Sequence, residues 1–174
     1  MSFIVEDGTK VAGANSYVPV AYADAYFSQY SNAIWTGLLT SDKQAALITA
    51  TQSVDLLYGQ RYKSMPASST QSLLWPRFVV IINRIQIVQS GTIPVQLMNA
   101  VSEVALMANQ GINVFPVPNT DAQLKQQRNQ VGTLVQDSVW GHTPKVEKFA
   151  GFNKIDLILY PLLNESDMPA SLAL

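Results

Sequence analysis

Apolar residues recur with a helical period in four stretches of this chain, and β-branched residues cluster in a fifth. The clearest stripe runs through Leu47, Ala50, Val54 and Leu57, at i, i+3, i+7 and i+10. Thr40 or Ser41 is placed to cap this helix, Asp42 puts negative charge in its first turn, and Gly59 is placed to stop it. Leu97, Val101, Val104, Ala105 and Ala108 predict another helix over 94–109, with Thr92 as cap, Pro94 in the first turn and Gly111 beyond the end. An earlier helix fits 20–30, where Tyr22, Ala25, Tyr26 and Gln29 fall at helical spacing after Pro19. A short last helix starts at Phe152 or Asn153, carries Ile155, Ile158, Leu159 and Leu162 on its buried face, and is limited by Pro161.

The stretch 79–88 reads as two short strands joined through Asn83-Arg84, although no glycine marks the turn. Exposed Ile85 and Ile87 in such a hairpin would favour aggregation of a monomer, so a covering partner is expected. Residues 131–140 alternate loosely and read as one strand, while 63–72, 112–122 and 141–151 have loop composition. Pro76 holds Trp75 in extended backbone. Residues 1–18 are irregular: either Asp7-Gly8 forms a small hairpin turn, or the segment is an arm that orders against a partner. The expected organisation is an N-terminal arm (1–18), a helical domain (19–163) with a hairpin near 79–88 and a strand near 131–140, and a C-terminal tail (164–174). The fold class is mainly α, a small helical bundle with a β-hairpin, short strands and extended terminal arms. Apolar runs such as Phe78–Ile82 fall well short of the ~18–20 residues that span a bilayer, and the start lacks a basic, then apolar, leader. A soluble protein made in a cytoplasm is expected.

Charge changes this picture. Charged residues make up 13% of the 174 residues, against a typical share of roughly 25%. The net charge is -1, so the chain lacks the broad basic footprint of a free-standing nucleic-acid binder. Two readings of the low charge stay open: a neutral, Gln-rich soluble surface, or a surface largely covered by other subunits. There is no cysteine, and His142 is the single histidine, which excludes disulfides, thiolate chemistry and multi-histidine metal sites.

Candidate chemistry is sparse. No glycine-rich phosphate loop occurs, and His142, in Gly141-His142-Thr143-Pro144, reads as a surface residue. No catalytic, cofactor or metal site is expected. Glu103 falls off its helix's apolar stripe and reads as solvated or subunit-facing. Asp55 lies beside an apolar stripe and calls for a donor, with Arg61 or Arg77 as the expected ion-pair partner. Arg61, Lys63, Arg77 and Arg84 interleave with Tyr58, Tyr62, Trp75 and Phe78. That pattern suits a single-strand stacking platform, or else a core tryptophan with a proline bend and one ion pair.

The order of several segments carries a resemblance. Ser16-Tyr17-Val18 leads to Ala23-Asp24-Ala25-Tyr26-Phe27. Asp55-Leu56-Leu57-Tyr58-Gly59 follows, then Gln71-Ser72-Leu73-Leu74-Trp75-Pro76-Arg77, then Ile93-Pro94. The match closes with Gly132 at a strand and 157–163 around Pro161. This resembles the tailed-bacteriophage head–tail connector proteins (adaptor or head-completion proteins), also labelled DnaT-like single-stranded-DNA-binding proteins. Two departures stand out: Tyr62-Lys63-Ser64 replaces a segment that in the family often holds Gly and Arg, and 79–88 is apolar where the family's loop is polar.

The resemblance implies a mainly α-helical structural subunit of the virion, at the head–tail interface. Such subunits form a ring, typically dodecameric, below the portal; the ring extends the DNA channel and gives the tail its platform. The implied partners are the portal protein, neighbouring copies, tail or stopper and nozzle proteins, and genomic DNA that passes without sequence-specific binding; no membrane is involved. Asp55, Tyr58, Gly59, Arg61, Trp75, Pro76 and Arg77 are the motif residues, with a structural role. Met168, Leu172 and Leu174 make the tail a candidate portal-docking segment. Val80, Ile82, Arg84, Ile85 and Ile87 make the hairpin a candidate interface with a neighbouring subunit or a tail protein. The alternative is a single-stranded-DNA-binding or replication accessory protein.

Overall fold

In the computed structural model of the chain, the described residues are 2–82, 85–115, 126–131, 134–139 and 152–164. They form five α-helices, α1 (Val20–Ser28), α2 (Ala33–Thr36), α3 (Thr40–Tyr58), α4 (Val95–Asn109) and α5 (Phe152–Leu159). Two antiparallel hairpins accompany them: β1 (Val80–Ile82) with β2 (Gln86–Val88), and β3 (Gln126–Val131) with β4 (Leu134–Val139). Single 3-10 turns follow α3 (Gly59–Arg61) and α5 (Tyr160–Leu162). The fold is small and mainly α. Two compact units divide it, one of Met1–Phe115 with Gly151–Leu174, the other Pro116–Ala150.

In the first unit α3 packs along α4, and α5 packs on α4. The predicted stripes supply the contact. Leu47, Ala50 and Val54 of α3, Leu97, Val101, Val104 and Ala105 of α4, and Ile155 and Leu159 of α5 are all buried in one cluster. Leu162 of the last 3-10 turn joins them. Burial of these side chains is the main source of cohesion, at about 25 cal/mol per Å2 of apolar surface.

The ends of the helices differ from the expected ones. Leu39, not Thr40 or Ser41, is the N-cap of α3, and its carbonyl accepts from the Asp42 and Lys43 amides at 3.0 Å. No side chain caps α3, and Asp42 in the first turn supplies the favourable charge instead. Pro94 occupies the N-cap of α4, while the Thr92 amide is held by the Gln89 carbonyl in the preceding turn. Gly59 follows α3 with φ -54, so it does not end the helix through left-handed backbone. A Cβ there would meet Leu74 Cδ1, the far end of a side chain that has to turn aside to make room.

The first helix is rotated from its predicted face. Ala23 and Phe27 are buried, Tyr22 and Tyr26 are half-buried, and Ala25 and Gln29 are exposed. The two half-buried tyrosines reach α4 with their hydroxyls, so their rings need not enter the core. A four-residue helix, α2, was not visible as a pattern because it is too short for a period. Asn32 caps it by accepting from the Trp35 amide at 3.1 Å, and Trp35 is fully buried against Phe27, with ring centroids 4.9 Å apart.

Residues 2–18 wind around a carboxylate. Glu6 is buried and accepts from the amides of Gly8 (2.8 Å), Lys10 and Val11 (both 2.9 Å). Val5 bridges Ser16 in parallel, so Asp7-Gly8 does not form the turn of a hairpin. Gly8 has φ +101 and lies so close to Gly91 that a Cβ would collide with the Gly91 carbonyl. Tyr17 and Val18 then enter the core.

The hairpin at 79–88 forms as expected, with Val80 opposite Val88, Ile81 opposite Ile87 and Ile82 opposite Gln86. In the second unit the strand predicted over 131–140 is found as β4, and its partner β3 was not anticipated. Gln126–Val131 is polar and lacks alternation, so no periodic signal marks it. Gly132, His142 and the tail residues Met168, Leu172 and Leu174 lie outside the described residues.

Leu97→Ala, at the α3–α4 contact, is expected to lower unfolding free energy by about 2–5 kcal/mol. Leu157→Ala, on the exposed side of α5, is expected to change it by less than about 0.5 kcal/mol. Urea titrations of the two variants followed by circular dichroism check both values.

Candidate functional site

The motif residues converge on one internal cluster. Asp55, near the end of α3, is hemmed in by the N-terminal segment and the 73–77 turn. The Tyr17 hydroxyl donates to its carboxylate, at 2.9 Å from Oδ1 and 2.8 Å from Oδ2, and the Leu74 amide donates to Oδ2 at 3.2 Å. The same hydroxyl accepts from the Trp75 amide at 3.1 Å. Trp75 is fully buried and stacks edge-on against Tyr62, with centroids 5.7 Å apart. The Trp75–Pro76 peptide bond is cis.

Arg77 closes the turn from within. It is 6% exposed, and its guanidinium donates to the carbonyls of Lys63, Leu74 and Ser64. The expected Asp55–Arg77 ion pair is therefore replaced by hydrogen bonds to neutral groups on both sides. Arg61 likewise does not pair with Asp55: its guanidinium lies 5.6 Å from the Tyr58 ring centroid, and its carbonyl accepts from the Asn164 amide at 2.8 Å. Tyr58 donates to Asp156 at 2.6 Å, tying α3 to α5. Each motif residue thus serves the packing of its own chain.

Burial governs the ionisation of this cluster. Loss of solvent pushes the Asp55 carboxyl up to about 6, although the Tyr17 and Leu74 hydrogen bonds and the Arg77 charge pull the other way. Burial also raises Tyr17 and Tyr62 well above the ordinary phenol value and lowers Arg77. A depression of about 570 Å3 lies over Asp55, walled by Met65, Pro66, Ala67, Leu74 and Phe78. Among the described residues no group of acids and histidines could hold a metal ion, and no helix is long and apolar enough to cross a membrane. Ser53 and Ser102 donate to the backbone carbonyls of Val114 and Met98.

Glu103 is neither solvated nor free for a neighbouring subunit. It accepts from the Tyr26 hydroxyl and from Lys154 Nζ, both at 2.6 Å, and so joins α1, α4 and α5. Burial, and then the bond to Glu103, push the Tyr26 hydroxyl well above its ordinary value. Asp24, in the middle of α1, plays the same part. It accepts from Trp35 Nε1 (2.8 Å) and Lys43 Nζ (2.9 Å), and these bonds hold its carboxyl below the ordinary value against the effect of burial. The sequence signals for both ties were a tyrosine or tryptophan and an acid on separate helices, which become partners only when the helices pack.

The hairpin divides its residues between two faces. Val80 and Ile82 point into the core with Val88, so these two members of the candidate interface are not available to a partner. Ile85 is 87% exposed and Ile87 54% exposed, and Phe78, Val79 and Ile81 are exposed beside them. Arg84 lies outside the described residues. Of the proposed stacking platform, Tyr58, Tyr62, Trp75 and Arg77 are buried, and Lys63 donates to the Pro161 carbonyl at 3.0 Å. Phe78 alone among its aromatic members is exposed.

Two outcomes test the cluster. Tyr17→Phe removes a group that both donates and accepts, and is expected to cost about 1–3 kcal/mol of stability in urea unfolding, while raising the Asp55 pKa further. Asp55 has a higher pKa in the folded chain (about 6) than its ordinary 3.8, so the folded state binds the proton more tightly. Its stabilising contribution is complete below the ordinary value and is lost as pH rises through the folded one. Wild type is therefore expected to gain stability from this group as pH falls from about 7 to about 5, and Asp55→Asn to lose that part of the slope.

Among curated proteins and solved structures, none matches the chain. Residues 1–173 match a protein family as a whole, a span that takes in every element of both units. The chain belongs to the family described as "Putative DnaT-like ssDNA binding protein".

Proposed function

We propose that this chain is a structural virion protein without catalytic activity: a ring-forming head–tail adaptor that binds below the portal, extends the DNA channel and gives the tail its platform. The observation that carries this reading is the exposed apolar face of the β1–β2 hairpin, Val79, Ile81, Ile85 and Ile87. A face of that composition gains free energy by burial against protein and little by contact with a phosphate backbone. The tailed-phage resemblance supplies the partners: portal, neighbouring copies, and tail or stopper proteins. The near-neutral charge suits a channel wall past which DNA moves without sticking.

The family description favours a second reading, a single-stranded-DNA-binding or replication accessory protein. That reading needs accessible cations and aromatic faces. Arg77, Tyr58, Tyr62 and Trp75 are consumed by internal packing, which weighs against a platform at these positions.

Co-assembly separates the two. The chain is mixed with purified portal rings and, in the same tubes, labelled single-stranded DNA, with and without residues 165–174. A stoichiometric complex with the portal that weakens when the tail is removed is expected, with DNA left free. Absence of portal binding, together with DNA capture that falls with added salt and with Arg84→Gln, would overturn the adaptor reading.

A further inference from the structure

The depression over Asp55 has one charged residue in its lining, Asp55 itself. Its volume of about 570 Å3 falls within the roughly 300–1,000 Å3 of ligand pockets. Met65, Leu74 and Phe78 give it apolar walls, and Met65 and Phe78 are exposed. Three of its polar lining residues are already engaged within the chain. The Gln71 side chain accepts from the Ser68 amide at 2.9 Å and donates to the carbonyls of Leu73 (2.7 Å) and Pro76 (3.0 Å). The Ser72 hydroxyl accepts from the Gly13 amide at 2.8 Å, and the Ser68 hydroxyl lies 3.1 Å from that of Thr70.

Asp55 differs from these groups because its charge is unmatched. Both of its donors, the Tyr17 hydroxyl and the Leu74 amide, are neutral. The Arg77 guanidinium is engaged by the carbonyls of Lys63, Leu74 and Ser64 instead. A carboxylate withdrawn from water without an ion pair is held at a cost, and its proton is retained up to about 6 for that reason.

We propose that this depression receives a lysine side chain from a partner protein, with the ammonium on Asp55 and the methylene stem along Met65, Leu74 and Phe78. A cation answers the charge that the neutral donors leave, through a charge-assisted hydrogen bond. Apolar walls suit the stem that carries it. The inner donors select ammonium over guanidinium. The Tyr17 hydroxyl spans both carboxylate oxygens and the Leu74 amide lies on Oδ2, so a two-pronged fork finds no open edge, whereas a point charge needs only Oδ1. Size selects a protein segment over a free amine: an alkylamine fills only part of the depression, and a lysine within a chain brings its flanking peptide groups as well. Such a contact goes beyond the adaptor reading and does not rest on it.

The test is an NMR titration of the isotope-labelled, full-length chain at about pH 7 with four probes: N-acetyl-Gly-Lys-Gly-amide, the same peptide with norleucine or with arginine in place of lysine, and n-pentylammonium. The lysine peptide is expected to shift the amides of residues 65–78 saturably and to lower the Asp55 midpoint below about 6. It is expected to bind about tenfold more tightly than the norleucine peptide, and more tightly than the arginine peptide or the free amine. Asp55→Asn is expected to make the lysine and norleucine peptides equal. If that variant melts early, wild type at about pH 5 carries the same comparison, because Asp55 is then mostly protonated and most of the preference is lost. The groups that act on Asp55 from neighbouring segments keep their charge over this range: burial raises the Tyr17 and Tyr62 phenols, and Arg77 stays protonated.

Equal binding of the lysine and norleucine peptides, shifts confined to residues outside 65–78, an unmoved Asp55 midpoint, or no binding of any probe would overturn the proposal. Tighter binding of the arginine peptide would overturn the choice of ammonium. Binding of n-pentylammonium as tight as that of the lysine peptide would overturn the assignment to a protein segment.

Discussion

The Tyr17 hydroxyl sits where three parts of the chain meet. It donates to the Asp55 carboxylate of α3 and accepts from the Trp75 amide of the 73–77 turn, while Tyr17 itself belongs to the N-terminal segment. The Leu74 amide closes the same small network on Asp55. Much of the first unit depends on this arrangement. It fixes where the N-terminal segment ends and α1 begins. It also holds the turn that brings Arg77 inward and sends β1 out toward the hairpin. A buried carboxylate is tolerated there because its acceptor sites are filled by donors of fixed position.

The same device recurs around the unit. Glu6 gathers the amides of its own loop, Asp24 gathers Trp35 and Lys43, and Glu103 gathers Tyr26 and Lys154. A chain with only 13% charged residues thus directs a good part of its charge to internal ties between elements. Among the described residues, large apolar side chains such as Leu39, Leu56 and Ile85 are left exposed, and covering them by other subunits is what the proposed role in a ring would supply.

The hairpin shows how one short sequence serves both ends. Val80, Ile82 and Val88 anchor it in the core, and the strand period of two then sends Ile81 and Ile87 outward together. An anchored hairpin presents its outer side chains on a fixed support, so covering them would cost little conformational entropy. The motif cluster lies at its base: Arg77 is held from three sides directly before Phe78 and β1.

By itself the sequence determined the mainly α class, the core stripes of α3, α4 and α5, and the hairpin at 79–88. These follow from period and side-chain volume, which act locally and leave a readable pattern. The motif from Asp55 to Arg77 was legible as a unit, and so was Asp55's need for a donor. Only the tertiary structure decided which donor answered. Tyr17 and Leu74 took the place of Arg61 and Arg77, because a buried carboxylate takes whichever donors the fold brings within about 3 Å, and sequence distance does not report that. For the same reason Glu103 turned from a surface residue into a tie between three helices, and Trp35 took a core position on a helix of one turn. The fate of the basic and aromatic stretch was also settled in three dimensions, since one composition serves a stacking platform or a core, and burial alone tells them apart.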